Sequence, residues 1–209
     1  MSNYMSKDAV ILSNIPCSIP WIPVLRRLGY MRSAEPDSQT KKRIEKVMTD
    51  AATIADPRGI YRILPCKAVE NTIVIQERFV IQSKAVYRLF ESCSHCAVMA
   101  VTVGPAICRE RDSLMNDKGK YADGVILDAV ASELADAAMA WIYDLTAKIG
   151  RGQGFSATMR YSPGYKDLYL STQSMIDELL DLSRIGICVT DSFMLEPEKS
   201  VTALAGWEK

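Results

Sequence analysis

The sequence is short of histidine, sparse in cysteine and without an excess of charge of either sign. With 25 basic and 25 acidic side chains its formal net charge is zero. No overall positive field then draws the chain to phosphate backbones or anionic lipid, so neither nucleic acid nor a membrane surface is an expected partner. The longest purely apolar runs, such as AVMAV at 97–101, fall far short of a bilayer span, and the opening MSNYMSKD lacks the basic and apolar regions of a secretion signal. A cytoplasmic protein is expected. Six cysteines in 209 residues are too few for a disulfide scaffold, so reduced thiols are expected as well. The single histidine, His95, excludes a two-histidine metal motif and would have to serve as the base for any serine or cysteine nucleophile. No Gly-x-Ser-x-Gly elbow accompanies it. Conventional hydrolase chemistry is therefore disfavoured.

What is present reads as an ordinary globular chain, 48% hydrophobic and 24% charged, and its length suits one domain over 1–209 with a mainly helical segment at 1–57. VLRRLGY reads as a short helix stopped at Gly29. Pro36-Asp37-Ser38 opens a helix to about Ala55, with Ile44, Val47, Met48, Ala51 and Ile54 on one face and Asp56-Pro57 as its stop. GIYRIL at 59–64 and TIVIQERFVI at 72–81 read as strands divided by polar residues and Pro65, and KAVYRLFESC as a short helix. CAVMAVTV at 96–103 is a nearly continuous apolar run, the pattern of a strand covered on both faces. A helix follows Gly104-Pro105 to about Met115. Residues 121–149 contain no proline and repeat Leu127, Val130, Leu134, Ala138, Trp141 and Leu145 at helical spacing, so one long central helix is expected. FSATMRY reads as a strand, TQSMIDELLDL as a helix stapled by Leu170 and capped by Ser171, and IGICVTDS and KSVTALAGW as closing strands. Without regular βαβ alternation, the fold class expected is α+β, with a mixed, largely antiparallel sheet, the long helix and flanking helices.

Three stretches could carry chemistry. Cys93-Ser94-His95-Cys96 has the spacing of a redox motif or of half a zinc site, yet there is no second pair and Cys17, Cys66, Cys108 and Cys188 are isolated. A helix-to-strand junction built from small residues is the favoured reading, with a thiol redox role left open. The Gly104 turn could present backbone amides to an anion, but one glycine is weak grounds and a plain strand-to-helix turn is favoured. The charges at 109–112 (RERD) read as a solvated helix face with local ion pairs. In RYSPGYKDLYL, 160–170, Arg160 offers a planar fork for a carboxylate and Gly164 lets backbone approach closely. Pro163 stiffens the corner, and Tyr161 or Tyr165 offers a flat face for a ring or a cation. A Pro-Gly corner is also an ordinary turn, and on the residues alone both readings stay open.

Residues 160–165, the helix after them and TDSFMLEPEKSVTALAGW at 190–207 together resemble the activation domain of cobalamin-dependent methionine synthase. That family carries Arg-x-x-x-Gly-Tyr, a helix, a Thr-x-Ser-Phe segment, Pro and Ser-Val in the same order. The helix GVILDAVASELADAAMAWIYDL is similar to the family's Ala-rich helix, and the likeness spans about 121–207 and is closest to short, free-standing members. It implies an α+β fold that binds S-adenosylmethionine and supports the reductive remethylation of cob(II)alamin. Carried over residue by residue, Arg160 holds the methionyl carboxylate, the backbone at Ser162 and Gly164 lines the adenosine side, Tyr165 packs on the ligand and Asp136 stands for the family's glutamate. The family's Ile-Asp-Trp segment is met by Ile19-Pro20-Trp21, without its carboxylate. His95 has no Asp-x-His-x-x-Gly surroundings, so the cobalamin is expected on a partner in trans, a methionine synthase or other corrinoid protein, with a flavodoxin-like electron donor. The chain would then act as one component of a methyltransferase system. The alternative is a non-catalytic docking protein of a corrinoid methyltransferase that has lost S-adenosylmethionine binding.

Overall fold

The structure, a computed structural model, describes residues 8–31 and 34–209. A short strand β1 (Val10–Leu12) leads to helix α1 (Trp21–Arg27) and then to α2 (Ser38–Ile54), so the N-terminal segment is helical as expected but also gives one strand to the sheet. The Asp37 side chain starts α2 by accepting from the amides of Gln39 and Thr40 at 2.9 and 3.0 Å. Next come β2 (Arg58–Val69), β3 (Thr72–Ile75) and β4 (Phe79–Ile81), α3 (Lys84–Phe90) and β5 (Cys93–Thr102). Helices α4 (Pro105–Asn116) and α5 (Tyr121–Arg151) follow. The chain closes with β6 (Ser156–Ala157), α6 (Thr172–Leu180), a 3-10 turn at Leu182–Ile185, a small hairpin of β7 (Cys188–Val189) and β8 (Leu195–Glu196), and β9 (Ser200–Glu208).

All pairings in the main sheet are antiparallel, in the order β4-β3-β2-β5-β9-β6 with β1 against Gly59–Tyr61 of β2. The apolar run at 96–103 explains its centre. Alternate residues of β5 serve opposite faces: Ala97, Met99 and Val101 pack with Ala138, Met139 and Ile142 of α5, while Cys96, Val98 and Ala100 join Phe90 of α3 and Ile176 and Leu180 of α6. The sheet is thus covered on both sides. A third cluster holds α1, α2 and α4 against the first half of α5 through Val24, Ile44, Ile107 and Leu127.

Several elements differ from their expected extents. Pro65 does not end its strand, because β2 changes partner there, from β5 at Pro65↔His95 to β3 at Cys66↔Ile75. The run at 72–81 folds back on itself through Gln76 and Glu77, both at positive φ, to make β3 and β4. The strand at 93–102 starts three residues before its expected position, which shortens α3. FSATMRY pairs only at Ser156–Ala157 and, as a lone bridge, at Tyr161, and IGICVTDS only at Cys188–Val189. Ser171 precedes α6 without a side-chain cap.

A different side chain ties the 160–170 loop down. The Asp167 carboxylate accepts from Ser83 Oγ at 2.7 Å and from the Lys84 amide at 2.6 Å, at the start of α3. The hydrogen bond from Ser83, helped by those backbone amides, holds its pKa below the ordinary 3.8. A depressed carboxylate stabilises the fold above the unfolded-state value, and that stabilisation is lost as pH falls through the folded-state value. Asp167→Asn is expected to lower the thermal midpoint at pH 7, with the gap to the parent narrowing steadily below pH about 4; a constant gap across that range contradicts the role. At Gly59 an α5 side chain packs directly on the sheet backbone: a Cβ there would collide with Ile142 Cδ1 and come within 3.0 Å of Ile15 Cδ1 and 3.2 Å of the Ala100 carbonyl oxygen. Gly59→Ala should cost about 1–3 kcal/mol by overpacking, measured by urea denaturation.

Candidate functional site

Past β6 the chain runs along the outer edge of β9. The Thr158 amide donates to the Gly206 carbonyl at 2.8 Å, and Tyr161 and Leu204 exchange two backbone hydrogen bonds of 2.8 Å each. Arg160 is thereby fixed beside the sheet edge. The chain then turns at Ser162-Pro163-Gly164-Tyr165, where the Tyr165 amide donates to the Ser162 carbonyl at 3.3 Å and the Gly164 amide to the Leu168 carbonyl at 2.7 Å. Gly164 has φ +89, a left-handed geometry that suits glycine, and a Cβ there would sit 3.1 Å from Leu170 Cδ2. Buried Leu168 anchors the far side of the turn.

A cavity of about 620 Å³ opens between this loop, α5, α6 and β9. Of the five residues singled out by sequence, Arg160, Ser162, Tyr165 and Asp136 line it, whereas Gly164 is not on its wall. With its amide engaged by Leu168, Gly164 shapes the turn instead. The Arg160 side chain is 34% exposed and its Nη2 lies 3.9 Å from Asp136 Oδ1. Its Nη1 is shut off from solvent and has no hydrogen-bond partner. A guanidinium N–H left in that state is a donor waiting for an acceptor. Tyr165 stands at the open side, 68% exposed, its ring edge-on to that of Tyr161 at 6.4 Å. Burial, and secondarily the charge of Asp167, raises the Tyr161 phenol, so it remains a neutral donor, directed at the Tyr165 carbonyl at 3.4 Å.

Two contributors escaped the sequence reading. Arg27 of α1 donates from Nε to Glu133 Oε1 at 2.7 Å and brings Nη2 within 3.6 Å of Asp136 Oδ2, so Asp136 stands between two arginines. Gln173 of α6 is buried on the cavity wall, and its Oε1 accepts from Thr202 of β9 at 2.7 Å. Neither belongs to a short motif; Arg27 is over a hundred positions from its partner. Trp21 lines a separate hollow of about 390 Å³, so α1 reaches the Arg160 neighbourhood through Arg27 rather than through segment 19–21.

Beside the cavity wall at Ser200 lies an ionic cluster that takes in Arg111, while Arg109, Glu110 and Asp112 form the solvated face expected. Arg111, only 12% exposed, pairs with Asp112, Asp128 and Glu198. Lys199, 9% exposed, pairs with Asp128 at 2.7 Å and donates to Ser132 Oγ at 2.9 Å. Burial pushes Asp128 up, but Lys199 and Arg111 outweigh it and hold the carboxyl low. The cluster joins α4 and α5 to the start of β9.

The cysteine pair opens β5 directly after α3, at the helix-to-strand junction expected. Cys93 and Cys96 are buried and free, and burial pushes Cys93 up to about 11 and Cys96 well above its usual value, the opposite of an activated thiol. His95 packs edge-on to Phe155 at 5.2 Å, and burial lowers its pKa. At the Gly104 turn the amide is satisfied by Thr102 Oγ1 at 3.1 Å, with Asp56 alongside, an unfavourable neighbour for an anion. Among the described residues no group of three or more His, Cys, Asp or Glu side chains could hold a metal ion, and no helix is long and apolar enough to cross a membrane.

No protein-family model matches the chain, and no curated protein matches it in sequence. Its architecture does have a counterpart among solved structures. The chain is similar to the crystal structure of the MetH reactivation domain bound to AdoHcy, with 17% sequence identity and a TM-score of 0.68 over 95% of this chain and 78% of that one. An antiparallel sheet carrying one long helix is thus the fold that this chain shares with the MetH reactivation domain.

Proposed function

We propose that this chain binds S-adenosylmethionine in the Arg160 cavity and serves as an activation module for the reductive remethylation of cob(II)alamin on a separate corrinoid protein or methionine synthase. The observation that carries the reading is Arg160 on the wall of a cavity that also holds Asp136, with one guanidinium nitrogen, Nη1, that has no hydrogen-bond partner. An amino acid end needs such a pair, a guanidinium for its carboxylate and a carboxylate for its ammonium. The similarity in fold to a domain whose structure was solved with AdoHcy supports the same ligand class. A cytoplasmic setting suits the free thiols.

The residues present fit the ligand. Arg160 would donate to the carboxylate, Asp136 would accept from the ammonium, and the Gln173–Thr202 pair gives the buried wall a polar group for the remainder. Tyr165 and Tyr161 offer aromatic faces at the open side, where a positive sulfonium is favourably placed. When bound, S-adenosylmethionine supplies an electrophilic methyl group. Its transfer from sulfur requires no proton removal, so the chain's part is to bind and orient. A flavodoxin-like protein would supply the electron.

One observation favours the second reading, a docking protein that has lost this ligand: Asp136 is already bracketed by Arg27 and Arg160. Isothermal titration calorimetry separates the two. The first reading expects micromolar binding of S-adenosylmethionine, weakened about 30-fold or more by Arg160→Ala, since truncating a buried charged donor costs about 2–5 kcal/mol. A folded protein that gives no heat at millimolar ligand contradicts the first reading and supports the second.

A further inference from the structure

Next to the cavity is a more open hollow of about 410 Å³, and Met159, Tyr161 and Lys166 form part of both walls. Three cations face it from two parts of the chain, Lys84 and Arg88 of α3 and Lys166 of the 160–170 loop. None of the three makes an ion pair with a described residue, a state they share with other surface cations such as Arg26, Arg109 and Arg184. The one carboxylate on the wall, Asp167, is occupied by Ser83 and by backbone amides of α3. Those hydrogen bonds keep Asp167 ionised, and against its one negative charge the three cations still leave the wall net positive, in a chain whose total is zero. Lys166 has φ +48, a strained conformation for a non-glycine residue, and the turn bonds of Gly164 and Leu168 on either side hold it there.

We propose that this hollow is the docking face for an acidic surface of the protein that carries the methyl acceptor. The inference rests on reading the cavity as a methyl-donor site. A methyl group held in the cavity reaches an acceptor on another macromolecule only if that macromolecule covers the mouth, and the hollow that shares its wall is then closed off with it. Cations that lose water without gaining a counter-charge oppose such closure strongly, so a partner that closes over them must bring carboxylates. Met159, exposed between the two hollows, gives the contact an apolar centre.

The test uses the isotope-labelled full chain, titrated by NMR with an end-capped hexaglutamate peptide and, separately, with inorganic phosphate. Amide shifts are expected to cluster at 84–89 and 159–167 with the peptide. Raising salt from about 20 to about 300 mM should abolish them. Lys84→Glu with Arg88→Glu should weaken binding about tenfold or more, and the milder Lys84→Gln with Arg88→Gln pair guards against a folding defect. Neither residue lines the cavity, so both double variants should keep the parent's heat of S-adenosylmethionine binding. Shifts spread evenly over Lys41, Lys42 and Lys118, an unchanged peptide affinity in the variants, or phosphate acting as strongly as the peptide would each overturn the proposal, the last in favour of a small-anion site. If the peptide binds as expected but the parent gives no heat with S-adenosylmethionine, the methyl-donor reading fails and the acidic docking face stands.

Discussion

The pair of backbone hydrogen bonds between Tyr161 and Leu204 is the constraint on which the site depends. β9 is held on one edge by β5, buried on both faces, and its other edge receives the chain from Ser156 to Tyr161. Core packing therefore sets the backbone position of Arg160 through hydrogen bonds of the chain on either side of it. Asp167 fastens the other end of the loop to α3, so the turn between is suspended from two rigid elements. A binding group on a loop gains precision when the loop is clamped in this way.

Electrostatics near the loop divides into two regimes. Around Arg111 and Lys199 the charges are shielded and mutually satisfied, which suits a joint between α4, α5 and β9. Around Arg160 satisfaction is incomplete: Asp136 is shared at 3.6 and 3.9 Å, beyond good hydrogen-bond length, and one guanidinium nitrogen has no partner. A shielded donor without an acceptor is unfavourable by about 1–3 kcal/mol, and a ligand carboxylate recovers that deficit if the guanidinium turns to bring the nitrogen to the cavity. The same reasoning separates the cavity from the cysteine pair, whose thiols are buried where charge is suppressed.

Much of this was legible in the sequence where one physical signal dominated. The proline-free helical stripe of α5, the Asp37 cap of α2 and the two-faced apolar run of β5 were each readable because local periodicity and burial agreed. The turn at Gln76-Glu77 was not, since neither residue announces positive φ as glycine or asparagine would. Pro65 was read as a strand end because a sequence cannot show that β2 exchanges one neighbour for another there. Within the site, Arg160, Ser162 and Tyr165 lie together in one short stretch and were found; Asp136 entered through the resemblance of its helix; Arg27 and Gln173 reach the same region only through tertiary packing. Arg111 misled for the same reason, as two of its partners come from α5 and the approach to β9.

A crystal structure of the chain grown with S-adenosylhomocysteine tests the central claim most directly. The account predicts the ligand carboxylate on the Arg160 guanidinium, with the backbone at 160–165 still paired to β9 and essentially unmoved. Density for the ligand elsewhere, or an Arg160 side chain turned away into bulk water beside a filled cavity, would contradict it.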